Sequence, residues 1–132
     1  RPMNENGSNE GGYEKSDLKK WIENDLFKMF PKALRKHMTG LTIPTLGEIY
    51  GWGDNWDKEH IEPDSDEQLP LMKQRRNRVA YYNNECSSGW LRNAMKKEFS
   101  SAYFASVSVN GTTNCGGASD PRGVRPEFWL VR

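Results

Sequence analysis

Tyr103, Ala105, Val107 and Val109 alternate with Phe104, Ser106 and Ser108, and the run ends on Asn110-Gly111. A period of two places one apolar face on a strand. Asn-Gly suits a type I′ turn, which needs φ > 0 at both central residues. This third of the chain is therefore expected to form an antiparallel hairpin, with Thr112 to Gly116 returning as the partner strand. Gly116 to Pro121 reads as a loop and Val124 to Val131 as a final strand.

The first third carries a different period. Ser16 offers a helix N-cap, and Asp17 suits the dipole of the first turn. Leu18, Trp21, Ile22, Leu26 and Met29 follow with helical spacing, while Lys19, Lys20, Glu23 and Asp25 fill the other face. Pro31 ends this helix and can start a second one, Lys32 to Met38, closed by Gly40. Leu41 to Pro44 reads as a short strand. Thr45-Leu46-Gly47-Glu48 fits a capping box, which puts Ile49 and Tyr50 on one helical turn stopped by Gly51 and Gly53.

Residues 52–68 read as a long acidic loop, with Asp54, Asp57, Glu59, Glu62, Asp64, Asp66 and Glu67 against Lys58 alone. Residues 68–82 read as partly helical and carry Lys73, Arg75, Arg76 and Arg78. Neighbouring acidic and basic stretches imply a solvated or mutually paired surface. Residues 1–12 read as a flexible segment, and 13–132 as a single domain whose two helices first and antiparallel sheet later indicate α+β organisation.

Such a fold needs a core, and aliphatic residues are scarce. Only 35% of the 132 residues are hydrophobic and the mean hydropathy is −0.91. Five Trp, five Tyr and five Phe compensate, because each aromatic side chain buries about 150–250 Å². Lys and Arg number 19 against 18 Asp and Glu, a net charge of +1, which argues against a strongly basic nucleic-acid binder, so no nucleic-acid partner is expected. No apolar run is long enough to span a bilayer, so membrane insertion is not expected. Cys86 and Cys115 are the only cysteines; a bridge between them and free thiols both remain open.

Catalytic signals are thin. His37 lies near the end of a basic helix and His60 within the acidic loop, where dipole and charge pairing account for them. No zinc ligand set occurs. Asp64-Ser65-Asp66-Glu67 offers oxygens to calcium but lacks the glycine and distal glutamate of an EF-hand, so no cofactor is expected and calcium is a minor alternative. There is no Gly-x-Ser-x-Gly elbow and no phosphate-cradling glycine loop. The carboxylates of the acidic loop lack the desolvated pocket that acid–base work requires. Arg125, set among apolar residues, is expected to reach backbone carbonyls or a carboxylate.

Four stretches together carry a resemblance. They are Gly11-Gly12-Tyr13 through Leu18-Lys19-Lys20-Trp21-Ile22; Ile43-Pro44-Thr45 with Glu48-Ile49-Tyr50-Gly51; Trp90-Leu91-Arg92; and Gly123-Val124-Arg125-Pro126 with Trp129-Leu130. From about residue 11 to 130 the chain resembles a bacterial and phage domain family of unknown function whose members end on a Gly-Val-Arg-Pro-x-Phe-Trp-Leu motif. The pattern departs at Asn93-Ala94, where Ser-Pro is usual, and at Glu127, where a small residue is usual. Family members usually carry strands ahead of the first helix motif, which leaves open that this chain is a fragment of a longer protein.

The resemblance implies a fold of the C-type-lectin-like group, in the variety shared with formylglycine-generating enzymes, with two N-terminal helices packed on a small twisted antiparallel sheet and long loops beside it. It further implies a non-enzymatic binding module for adhesion or receptor recognition, on a phage virion, in the extracellular space or on a bacterial surface, with a cytoplasmic location left open. Its partner would be a host-surface glycan or protein. The expected ligand-binding residues are Arg92, Tyr103, Asn114, Asp120 and Arg122, near the hairpin and the loop before the last strand. Trp21, Trp90, Arg125 and Trp129 are expected to be structural. The alternatives are a virion structural or assembly protein that forms homo-oligomers and a cysteine-dependent enzyme; the cysteine motifs of the related enzymes are not matched by Cys86 and Cys115.

Overall fold

A computed structural model describes residues 1–132. Ser16 caps the first helix by accepting a hydrogen bond from the Lys19 N–H at 3.0 Å. The helix runs through Asp17–Trp21, widens to a π-helical turn over Ile22–Leu26 and finishes as Phe27–Met29. At the widening, Asn24 donates its side-chain amide to the Lys20 carbonyl at 2.8 Å, a competitor that loosens the backbone ladder.

The second helix is only Lys32–Arg35, and Met38–Thr42 is strand β1. The expectation of a helix to Met38 and a strand at 41–44 is thus corrected. Gly40, expected to stop a helix, has φ 68° and sits where the β1 register breaks. Glycine at positive φ is a usual way to bulge a strand.

Thr45 builds the expected capping box: its hydroxyl accepts from the Glu48 N–H at 3.2 Å, and Glu48 accepts from the Thr45 N–H at 3.0 Å. The helix it starts is Leu46–Tyr50. The stretch expected to be an acidic loop contains a further helix, Asn55–His60, capped by Asp54. Two 3₁₀ turns, Pro70–Lys73 and Arg75–Arg78, lead to the strands β2, Ala80–Tyr82, and β3, Glu85–Ser87. These two strands are joined by Asn83 and Asn84 at φ 51° and 64°. Asparagine tolerates the left-handed region, so the two-residue turn with both central φ positive lies here.

Strands β4, Gly89–Ala94, β5, Tyr103–Val107, and β6, Thr113–Gly117, form an antiparallel sheet in that order, and β7, Glu127–Leu130, pairs with β1. The β5–β6 hairpin exists in the expected place, but its turn differs. Ser108 N–H reaches the Thr112 carbonyl at 2.8 Å, and at the tip only Gly111 takes a positive φ, 83°. Asn110 instead accepts from the hydroxyls of Ser108 and Thr112, which makes a wider loop than a type I′ turn.

The architecture is α+β, with small antiparallel sheets and short helices. Its centre is the three-stranded sheet, which is covered on both faces. Trp90 and Phe104 point into one cluster with Met3, Tyr13, Leu18, Ile22, Ile43 and Ala118. Their neighbours Leu91 and Ala105 point into the other with Leu46, Ile49, Ile61, Met95 and Val107. Double coverage is why Phe104 and Ser106 are as buried as Ala105, although alternation alone predicts one apolar face. Tyr103, at the strand's start, is exposed.

Residues 1–12 are packed into this core, which corrects the expectation of a flexible segment. Met3 is fully buried. Asn4 N–H donates to the Ala118 carbonyl at 2.9 Å, and the Asn9 amide reaches the carbonyls of Ser100 and Tyr103 at 2.9 and 3.0 Å. Removing residues 1–12 should therefore lower the melting temperature by many degrees. Met3→Ala alone should lower it by about 10 °C, given roughly 2–5 kcal/mol for a buried methionine. Differential scanning calorimetry of both variants checks this, and an unchanged melting temperature would contradict the packing described.

Candidate functional site

The candidate site grows from a close approach between two backbones. Gly123 lies beside Gly89 in a parallel bridge; its N–H donates to the Ser88 carbonyl at 2.9 Å, and its carbonyl accepts from the Trp90 N–H at 3.1 Å. A Cβ at Gly123 would stand 2.6 Å from the Ser88 oxygen, so glycine is required there. The adjacent Arg122 N–H donates to the Arg1 carbonyl at 3.0 Å, which also accepts from the Trp90 indole at 2.8 Å. The loop at 121–125, the start of the chain and β4 are thereby locked together.

Against this junction the β2–β3 hairpin leaves a cavity of about 610 Å³. Four arginines line it: Arg1, Arg78, Arg122 and Arg125. Trp21, Trp90, Tyr81 and Tyr82 supply aromatic surface, and Ser87 and Ser88 supply hydroxyls. No aspartate or glutamate belongs to the lining. The Arg1 guanidinium lies 4.1 Å from the centre of the Trp21 ring and that of Arg122 5.3 Å from the Trp90 ring, distances at which the ring quadrupole attracts a cation. Gly116 leaves the space that the Arg122 guanidinium occupies.

None of the four is in an ion pair; the pairs in the molecule are those of Lys19 with Glu14 and Glu23 and of Arg92 with Glu48 and Glu127. Arg125 donates to the Arg78 carbonyl at 2.9 Å, as expected for an arginine among apolar residues. Its Nη1 and the Nε of Arg122 are buried without a hydrogen-bond partner. Burial pushes the Arg125 guanidinium below its ordinary pKa.

Of the five residues expected to bind ligand, only Arg122 lines this cavity. Arg92 is structural: its Nε donates to the Ile43 carbonyl at 2.7 Å, and one Nη reaches Glu48 and Glu127 at 3.1 and 3.3 Å. Asp120 closes a turn by accepting from the Gly117 N–H at 3.1 Å. Asn114 lines a second cavity with Asp54, Trp56 and Cys115, and Tyr103 stands apart on the surface. These five do not converge.

Among the residues expected to be structural, Trp90 is buried, while Trp129 is 75% exposed. The Trp129 expectation fails because β7 belongs to a two-stranded ribbon whose outer face nothing covers. Trp21 and Arg125 line the cavity as well as packing. Arg78, Tyr81 and Tyr82 were not singled out by the sequence reading, although a basic run followed by two tyrosines and two asparagines marks a turn with aromatic flanks.

The acidic stretch serves the fold. Asp64 accepts from the Gly47 N–H and the Asn93 amide at 3.1 and 2.8 Å, and Asp66 accepts from the Thr45 hydroxyl at 2.8 Å. No group of three His, Cys, Asp or Glu side chains converges to hold a metal ion. Both cysteines are free thiols, and burial pushes the Cys115 thiol up. No helix is long and apolar enough to cross a membrane. The chain matches no family model, no curated protein and no solved structure.

Beside Arg92, burial pushes the Glu127 carboxyl up to about 7, helped by its hydrogen bond to Glu48 and that group's charge, while Arg92 opposes. The ordinary value is 4.5. A carboxyl raised in the folded state stabilises fully below the unfolded value, and that contribution is lost as pH rises through the folded one. The melting temperature should therefore fall between about pH 4.5 and 7. Glu127→Gln, which mimics the protonated carboxyl, should fall less over that window. Thermal melts across it check this; identical slopes for the two proteins would refute the assignment.

Proposed function

We propose that this chain is a non-enzymatic binding module of the C-type-lectin-like kind, serving adhesion or receptor recognition on a phage or bacterial surface. The observation that carries the reading is the cavity at the 121–125 loop. Its volume lies within the roughly 300–1,000 Å³ typical of small-ligand sites. Tyr81 and Tyr82 are both exposed and alternate across β2, so one of them turns a flat face to the cavity for a sugar ring, and arginines and serines offer donors for hydroxyls. Two features support recognition over cysteine chemistry. The cavity lining contains neither cysteine nor histidine, and the Cys115 thiol is pushed away from its thiolate form.

A second reading, assembly into homo-oligomers, is favoured by Trp129, Leu130 and Val131, which are exposed together at the end of β7. A glycan array separates the two. The binding reading expects captured glycans whose signal is lost in a Tyr81→Ala, Tyr82→Ala double variant that retains its melting temperature. A protein that captures no glycan and runs as a stable oligomer in size-exclusion chromatography with light scattering favours assembly.

A further inference from the structure

The chain as a whole is nearly neutral, at +1, yet Arg1, Arg122 and Arg125 line one cavity without a single carboxylate, while Arg78 gives it a carbonyl for Arg125 and holds its own guanidinium at the Met72 carbonyl and over the Tyr50 ring. Like charges so placed repel one another, and water screens them less as the site is closed off. Elsewhere in the molecule a part-buried arginine is neutralised: Arg92 faces two glutamates. In the cavity the compensation is absent, and two of the arginines hold buried N–H groups without an acceptor, Arg122 Nε and Arg125 Nη1. An unmet buried donor is destabilising, the more so when it is charged. A bound oxyanion removes that cost and the repulsion together, since the guanidinium fork matches carboxylate, sulfate and phosphate oxygens.

From these observations we propose that the cavity binds an acidic sugar: its carboxylate or sulfate sits among Arg1, Arg122 and Arg125, and its ring lies against the tyrosine of β2, Tyr81 or Tyr82, that faces the cavity. The inference rests on the glycan-binding reading above and adds the charge of the ligand to it. The shared chemistry is an oxyanion carried on a sugar ring; carboxylated and sulfated sugars are its two sources. Tyr81 and Tyr82 alternate across β2 and are 71% and 72% exposed, so the one that faces the cavity is free for such a ring. Neutralisation of the arginines should also make binding salt-sensitive.

The test is calorimetric titration of the whole chain with N-acetylneuraminic acid, glucuronic acid, galactose 6-sulfate, galactose and inorganic sulfate. At least one acidic sugar should bind about tenfold more tightly than galactose, more tightly than sulfate alone, and more weakly as sodium chloride is raised. Whether the carboxylated or the sulfated sugars bind identifies the source. Arg125→Gln should weaken that binding by about tenfold or more. Because Arg125 also holds the Arg78 carbonyl, Arg1→Gln serves as the second variant; its guanidinium touches the ring of Trp21 and forms no ion pair.

Galactose binding as tightly as the acids, with affinity unmoved by salt and by both variants, overturns the charge inference and leaves the glycan reading standing. Sulfate alone matching the acidic sugars overturns the role given to the ring. No binding of any sugar at about 10 mM overturns the inference and the reading together.

Discussion

The double-sided burial of the β4–β5–β6 sheet is the constraint on which the rest of this fold depends. A sheet of three short strands has two faces, and here each is covered by an apolar cluster. On one side the cover is residues 1–12 together with the first helix; on the other it is the Leu46–Tyr50 helix and Ile61. Neighbouring residues therefore serve opposite cores, Trp90 against Leu91 and Phe104 against Ala105. This is how a chain with 35% hydrophobic residues acquires a core at all. It divides a limited apolar supply into two clusters that share one sheet, which is itself held by backbone hydrogen bonds.

The same sheet determines how the arginines differ. Arg92 projects from β4 toward the Leu46–Tyr50 helix and β7, meets Glu48, Glu127 and the Ile43 carbonyl, and ties three elements together. Burial first, and then the hydrogen bond and charge of Glu48, hold the proton on Glu127 to about neutral pH against the pull of Arg92. Near the start of β4, Arg1, Arg78, Arg122 and Arg125 meet only carbonyls and aromatic rings. One residue type thus braces the fold in one place and lines an uncompensated cavity in another.

Local signals were legible where the physics is local. Ser16 and Thr45 cap helices as their sequences predict, because a cap needs only the next three residues. The β5–β6 hairpin was visible in its alternation, and Arg125 reaches a carbonyl as anticipated. The errors lie where distant residues decide. Gly40 was expected to stop a helix but bulges a strand, because β7 returns to pair with β1. Asn110-Gly111 has the composition of a type I′ turn, but the hydroxyls of Ser108 and Thr112 hold Asn110 in a wider loop.

The candidate site was the least legible part. Arg122 was singled out and Arg78, Tyr81 and Tyr82 were not, because the cavity joins the hairpin at 80–87, the loop at 121–125 and the first residue of the chain. By itself the sequence determined the α+β class, the helix caps and the presence of a C-terminal hairpin, since each follows from periodicity or capping over a few residues. The aromatic core that composition implied is corrected, because Tyr13, Trp90 and Phe104 are the only aromatics among the buried hydrophobics and the others there are Met, Leu, Ile, Val and Ala. Only the tertiary structure decided that residues 1–12 are packed against the core, that Arg92 is a brace, that Trp129 is exposed and that four arginines line one cavity. Those outcomes depend on which segments meet across long separations, and nothing local to any of them encodes its partner.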